Sequence, residues 1–179
     1  MKSILSVVCG VALCCAPALA QHKGKAKGTR AGAGMTDQQF VDFAGQTDML
    51  EANVGQFASQ NAVRQDIKDY AQMLTTDHTN DYNQLTAAAV KANVTVPKGL
   101  DAQHQKMAAT LEKLKGGAFE MHFITDMISG HTQAISKYKW ESENGTNADL
   151  KAYATQVLPT LQKHLDGAKD LSKKPSKKP

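Results

Sequence analysis

Residues 62–91 read AVRQDIKDYAQMLTTDHTNDYNQLTAAAVK, and this stretch decides the fold. Its apolar residues recur at the three- and four-residue intervals of an amphipathic helix, and they do not alternate as in a strand. The inward stripe comprises Ile67, Ala71, Leu74, His78, Tyr82 and Leu85. The pattern therefore predicts a long helix, from about Ala62 to Lys91, that turns a histidine towards the core.

The same periodicity predicts four more helices, and no segment has the period of a strand. The first starts at Thr36 or Asp37 and ends near Ser59 to Asn61, and the others span about Asp101–Lys115, Phe119–Glu143 and Asn147–Leu171. The short helix ends at Gly116-Gly117, a pair typical of a helix stop. The four long helices form two hairpins, so the sequence predicts an all-α four-helix bundle with a short extra helix in the connection between the hairpins. Whether that connection crosses the bundle is left open.

The ends of the chain differ from this body. Residues 1–20 have a lysine near the start, an apolar run and a small-x-small end at Ala18 and Ala20, which predicts a secretory signal peptide. The protein is therefore expected to be exported, to the periplasm or the outer membrane, without a transmembrane span in the mature chain. Because all three cysteines lie within residues 1–20, cysteine-based metal sites are excluded from the mature chain.

The distribution of charge distinguishes the helical body from the segments on either side of it. All acidic residues fall between Met35 and Leu171, although the chain as a whole has a net charge of +4. Residues 21–35 and 172–179 are predicted to be disordered basic segments on either side of a helical domain at 36–171. These segments either keep the protein soluble or attract it to an anionic envelope surface as a partner, and nothing in them indicates a specific nucleic-acid site.

Four stretches carry a family resemblance. They are LEANVGQFASQNAVRQDIKDYAQMLTTDHTNDYNQL, VPKGLDAQHQ, GAFEMHFITDMISGHTQAISKY and NADLKAYATQVLPTLQKHL. In this order they resemble the bacterial family DUF4142, a domain of unknown function. The resemblance implies a ferritin-like bundle and an exported or outer-membrane protein, and it implies no particular activity.

Three inward histidines make a metal site the main functional hypothesis. The predicted ligands are Glu51, His78, His131 and His164, with Asp77, Asp126 and Met127 as supporting or alternative ligands. Such a set suits one divalent metal, either zinc, copper or iron. The Glu-x-x-His pairs of ferritin-like di-iron centres are missing, because Thr75, Ile128 and Leu161 stand three residues before the histidines.

The alternative is that the histidines are neutral core residues, each hydrogen-bonded to a carboxylate, hydroxyl or carbonyl across the bundle, with Thr79, Thr132, Tyr82 and Tyr138 as candidate partners. His104 and His122 are expected at the surface. Pro159 predicts a kink one turn before His164. The sequence thus favours a non-enzymatic protein of metal handling or stress protection, with an envelope interaction module as the alternative and an oxidative enzyme third.

Overall fold

The structure, a computed structural model, describes residues 34–174, and within them it is entirely helical. The helices are α1 (Asp37–Asn61), α2 (Gln65–Ala92), α3 (Ala102–Glu112), α4 (Gly116–Asn144) and α5 (Ala148–Ser172). The prediction of four long helices with a short one in the connection is confirmed. The predicted signal peptide and the basic segment before Ala33 lie outside the described residues, as does the tail from residue 175.

The helix ends are fixed by side chains that satisfy free backbone groups. Thr36 and Gln39 form a reciprocal capping box at the start of α1. The turn before α2 is held by another helix, because Glu120 Oε1 of α4 accepts hydrogen bonds from the N–H groups of Val63 and Arg64 at 2.8 and 2.7 Å. These contacts set the register between α2 and α4.

Arg64 joins that turn to the end of α5. Its buried guanidinium donates to the carbonyls of Leu171 and Lys174 at 3.3 and 3.2 Å, and it also pairs with Asp66 at 2.9 Å. The Lys174 ammonium lies 3.0 Å from the same Asp66 carboxylate. The first residues of the predicted basic tail therefore belong to the end of the bundle.

The connection between the hairpins crosses the bundle from end to end. Residue Thr95, just after α2, is hydrogen-bonded to Gln38 at the start of α1. Phe119, near the start of α4, packs against Phe57 near the end of α1. Helices α1 and α5 thus run in one direction and α2 and α4 in the other, the one-crossover arrangement of ferritin-like folds.

Amide side chains of α1 hold the crossing segment in place. Gln38 exchanges two hydrogen bonds with Thr95, while Gln46 donates to Gly99 O at 3.0 Å and accepts from the Asp101 N–H at 2.9 Å. Further along, α3 buries Leu111 in the core cluster that also contains Val54 of α1. The crossing segment therefore covers the side of the bundle where α1 meets α4.

One predicted boundary is wrong. The helix α3 ends at Glu112, and Gly116 begins α4 where it had been expected to stop the preceding helix. Gly116 has a left-handed backbone with a φ of 55°, a conformation that glycine adopts without steric cost. The glycine still marks a break in the helical path, but the break belongs to the start of the next helix.

The core consists of two apolar clusters with a polar layer between them. One cluster contains Ile67, Leu74 and Phe123, and the other contains Phe40, Leu85 and Leu161. Buried polar residues lie between the clusters. They are Asp48, Glu51, His78, Asp81, His131 and His164. No helix in the described part of the chain is long and apolar enough to span a membrane.

The crossing connection predicts where labels at the two ends of the bundle should lie. Spin labels at Asp42→Cys and Ser172→Cys should be about 30 Å apart, because some twenty helical residues separate their levels. A second pair at Asn61→Cys and Ser172→Cys should lie within about 15 Å, the diagonal of a four-helix bundle. Double electron–electron resonance measures both; a short distance for the first pair would contradict the crossing.

Candidate metal centre

Each long helix contributes one side chain to the centre of the polar layer. Glu51 comes from α1, His78 from α2, His131 from α4 and His164 from α5. The three imidazole rings are fully buried, and Glu51 is 3 % exposed. Although the sequence left open whether all four could meet, the fold brings them into a single cluster.

The outward nitrogen of each ring is held by an acceptor. His78 Nδ1 lies 2.9 Å from Asp48 Oδ1, and His164 Nε2 lies 2.9 Å from Asp77 Oδ2. His131 Nδ1 lies 2.9 Å from the carbonyl oxygen of Met127. Carboxylates and carbonyls accept hydrogen bonds, so each of these nitrogens carries a proton and donates it. The remaining ring nitrogens, His78 Nε2, His131 Nε2 and His164 Nδ1, point inwards.

The inward atoms converge on a common point with Glu51. Glu51 Oε2 lies 3.0 Å from His78 Nε2 and 3.3 Å from His131 Nε2. His131 Nε2 lies 3.1 Å from His164 Nδ1. One nitrogen from each of the three rings falls within 4.8 Å of the others. Within the described residues, neither Glu51 Oε2 nor His78 Nε2 has a hydrogen-bond partner of good geometry.

Local charge determines the protonation of these groups. Burial favours the neutral acid of Glu51, but His131 and His78 outweigh it and lower its pKa to about 2. Burial likewise opposes a charge on His78, but the Glu51 and Asp48 carboxylates outweigh it and raise the pKa of His78 well above its usual value. A cation is therefore favoured at this point of the core, and a proton on His78 supplies it when no metal is bound.

The other two rings lack that extra proton. Burial lowers the pKa of His131, and burial together with the charge on His78 lowers the pKa of His164 to about 4. At neutral pH, His131 Nε2 and His164 Nδ1 thus face each other at 3.1 Å with two lone pairs. Such an arrangement is repulsive unless a positive ion lies between them.

The spacing of the inward atoms suits a tetrahedral metal ion. Zinc binds imidazole nitrogen and carboxylate oxygen at about 2.1 Å, which places tetrahedral ligand atoms about 3.4 Å apart. The three distances of 3.0, 3.3 and 3.1 Å fall slightly below that value. One nitrogen of each ring also lies within 4.8 Å of the others, so the side chains would draw together around an ion to complete the coordination sphere.

A second group of polar side chains adjoins His78. Asp48 and Asp81 each place a carboxylate oxygen within 4.8 Å of this ring and of each other. Burial and the charge of Asp48 raise the pKa of Asp81 to about 7, and Asp81 Oδ2 has no hydrogen-bond partner in residues 34–174. Two tyrosines extend the group, since Tyr153 OH donates to Asp48 at 3.5 Å and lies 3.2 Å from Tyr138 OH.

The three residues predicted to support the metal ligands differ in their relation to the cluster. Asp77 orients His164, as expected for a carboxylate behind a metal-binding ring. Met127 reaches the cluster through its carbonyl oxygen, which holds His131. Asp126 orients none of the three rings; it is exposed and lines a groove beside His122. The helix α5 continues through Pro159 without interruption, and the kink expected at this residue remains a prediction.

Of the partners predicted for structural histidines, the carboxylates are present, since Asp48 and Asp77 hold two of the rings, but the four hydroxyls are wrong. Thr79 and Thr132 bond to carbonyls of their own helices, and Tyr82 bonds to Pro97 O in the connection. Tyr138 contacts Tyr153. Hydroxyls of helical threonines return to the carbonyl four residues earlier, which removes them as partners for a ring on another helix.

Asp48 and Asp81 were missed by the sequence reasoning. Asp48 precedes Glu51 by three residues, and Asp81 follows His78 by three, so both share a helix face with a predicted ligand. That spacing was the available signal. It was weak because carboxylates at such intervals also occur on solvated faces.

The fold and the cluster define a helical-bundle protein with a buried histidine–carboxylate centre that links all four long helices. Residues 19–171 match the model of the family described as Domain of unknown function (DUF4142), and the chain belongs to this family. Comparisons with curated proteins and with solved structures found no match.

The raised pKa of Asp81 predicts a pH-dependent stability. Folded Asp81 has a pKa of about 7, compared with an ordinary value of 3.8, so its carboxyl group holds a proton more tightly in the folded state than in the unfolded state. The stability that this bound proton contributes is lost as the pH rises from about 4 to 7. Between pH 5 and pH 8, Asp81→Asn should gain about 2 kcal/mol in free energy of unfolding relative to the parent. Urea unfolding with a chelator present measures the difference.

Asp69→Asn provides the control, because Asp69 is an exposed carboxylate on the same helix. It should leave the pH profile unchanged. Parallel profiles for Asp81→Asn and the parent would show that Asp81 does not titrate in this range.

Proposed function

We propose that this protein binds one divalent metal ion through His78, His131, His164 and Glu51, and that its role is metal handling. The observation that carries the proposal is the convergence of three ring nitrogens and a carboxylate oxygen in a fully buried layer, where three of the distances between them are 3.0 to 3.3 Å. The outward nitrogens are all anchored, so the rings are oriented for a ligand before it arrives.

Zinc fits this donor set best among the three metals considered. Zinc accepts nitrogen and oxygen ligands in a tetrahedral geometry without further requirements. Copper(II) favours a tetragonal arrangement and copper(I) favours sulfur ligands, whereas the atoms that converge here are ring nitrogens and a carboxylate oxygen. The proposed site has one carboxylate, which also separates it from carboxylate-rich di-iron centres.

A closed coordination sphere supports a non-enzymatic role. Catalytic zinc sites keep one position open for water, with three protein ligands, whereas structural sites use four. Here the chain offers four ligands, one from each long helix, so the ion would connect both hairpins of the bundle. The proposal includes export, which is supported by the signal-peptide pattern of residues 1–20. An exported protein of this kind would protect against stress by sequestering metal outside the cytoplasm.

Calorimetry with zinc tests the site. The mature, tagless protein should bind about one ion per chain, and His131→Ala should weaken binding by at least about 100-fold because a tetrahedral sphere loses one ligand. Excess zinc at about 100 times its Kd should add close to 3 kcal/mol to the free energy of unfolding. Titrations in buffers of different ionisation enthalpy should detect release of about one proton, which leaves His78.

The matched control is His122→Ala, which removes an exposed histidine from the same helix as His131. It should retain full binding. Circular dichroism confirms that both variants fold. Equal loss of binding in both variants, or no binding by the unmodified protein, would make the three buried histidines core residues and refute the proposal.

The carboxylate behind His164 should tune the affinity. Asp77→Ala removes the acceptor 2.9 Å from His164 Nε2, and outer partners of this kind typically change metal affinity 10- to 100-fold. Competition titration with a chromogenic chelator measures the change. Asp69→Ala removes an exposed carboxylate of the same helix and should have no effect; an equal effect of both substitutions would indicate general electrostatics.

A further inference from the structure

A groove and a smaller cavity lie between the surface and the proposed ligand Glu51. The groove has a volume of about 340 Å³ and runs between α3 and α4, past Gln103, His122 and Asp126. The cavity has a volume of about 60 Å³ and lies deeper, against Glu51 and Gly130. Since one water needs roughly 15 Å³, the cavity has room for a partly hydrated ion.

The two spaces adjoin. Both are lined by Met107 and Leu111 of α3 and by Asp126 of α4. Met107 is 46 % exposed, so its side chain stands at the junction between open groove and inner cavity. Together the spaces lead from solvent, beneath α3, to the carboxylate of Glu51.

The inner end of the cavity is kept open by a glycine. A Cβ atom at position 130 would lie 3.3 Å from Glu51 Oε1, which is tighter than ordinary contact. Glu51 therefore has one oxygen at the cavity and the other, Oε2, among the histidine rings. On the opposite side of the bundle, a groove between α2 and α5 is lined by residues such as Tyr70 and Gly167 and includes none of the four ligands.

We propose that the metal ion enters through this passage beneath α3, attracted by Asp126 at its mouth and received first by Glu51. The inference rests on the proposed function, since it concerns the route to the same site. The Asp126 carboxylate lines both the groove and the cavity, so it attracts a hydrated cation to their junction against the opposing charge of Lys106 in the groove. Glu51 then passes the ion from its outer oxygen to the cluster of rings.

Stopped-flow loading with Co²⁺ tests the route, because tetrahedral cobalt has a strong visible absorption. Met107→Trp places a larger side chain at the junction and should slow both association and dissociation about tenfold, while the Kd changes less than twofold. The control is Met121→Trp, an exposed methionine of α4 that lines neither space. If Met107→Trp reduces the helix content, Gln103→Trp on the outer rim replaces it.

Charge at the mouth gives a second measurement. Asp126→Asn should slow association several-fold at low salt, and the difference should vanish at high salt, as screening predicts. Asp166→Asn, at an exposed position on α5, should behave as the parent.

The outcomes separate the route from the site. Parent-like rates for Met107→Trp and Asp126→Asn in a protein that binds cobalt would overturn the route and leave the site intact. Failure of the unmodified protein to bind cobalt at equilibrium would overturn both.

Discussion

The structure depends on the way that four electron-pair donors are held together in the middle of the bundle. Burying a carboxylate and three imidazoles costs free energy unless each group finds a hydrogen-bond partner. Asp48, Asp77 and the Met127 carbonyl provide a partner for only one of the two nitrogens of each ring. The inward side remains electron-rich. A cation at that point, proton or metal, is therefore a requirement of the packing as well as a functional possibility.

This requirement explains the organisation of the rest of the core. Apolar clusters above and below the layer exclude water, which strengthens each electrostatic interaction inside it. The crossing connection lets α3 lie along α1 and α4, so Glu51 is covered by a helix and also reached by a cavity. A connection that returned locally would leave that side of the bundle open to solvent.

The sequence predicted the helices and three of the rings because both depend on periodicity. His78, His131 and His164 each occupy a position of an apolar stripe, so their direction was readable from spacing alone. Their convergence was not readable, because it depends on the relative height of helices from different hairpins. That height is set by contacts such as Glu120 with the start of α2, which join residues far apart in the chain.

Residues at the margins of the stripes were harder to place for the same reason. Asp126 and Asp77 each precede an inward-facing residue in the sequence. Asp126 nevertheless faces solvent, whereas Asp77 of α2 accepts a hydrogen bond from His164 of α5. Gly116 had the composition of a helix stop and the geometry of a helix start. In each case tertiary contacts decided which of two neighbouring roles the residue serves.

The parallel course of α1 and α5 also makes the domain a spacer. Gly34 lies at one end of the bundle, against Trp140, and Lys174 lies at the other, against Asp66. The 25 residues of α1 alone span about 37 Å. Two objects attached to the opposite ends of this domain would be held apart by that length.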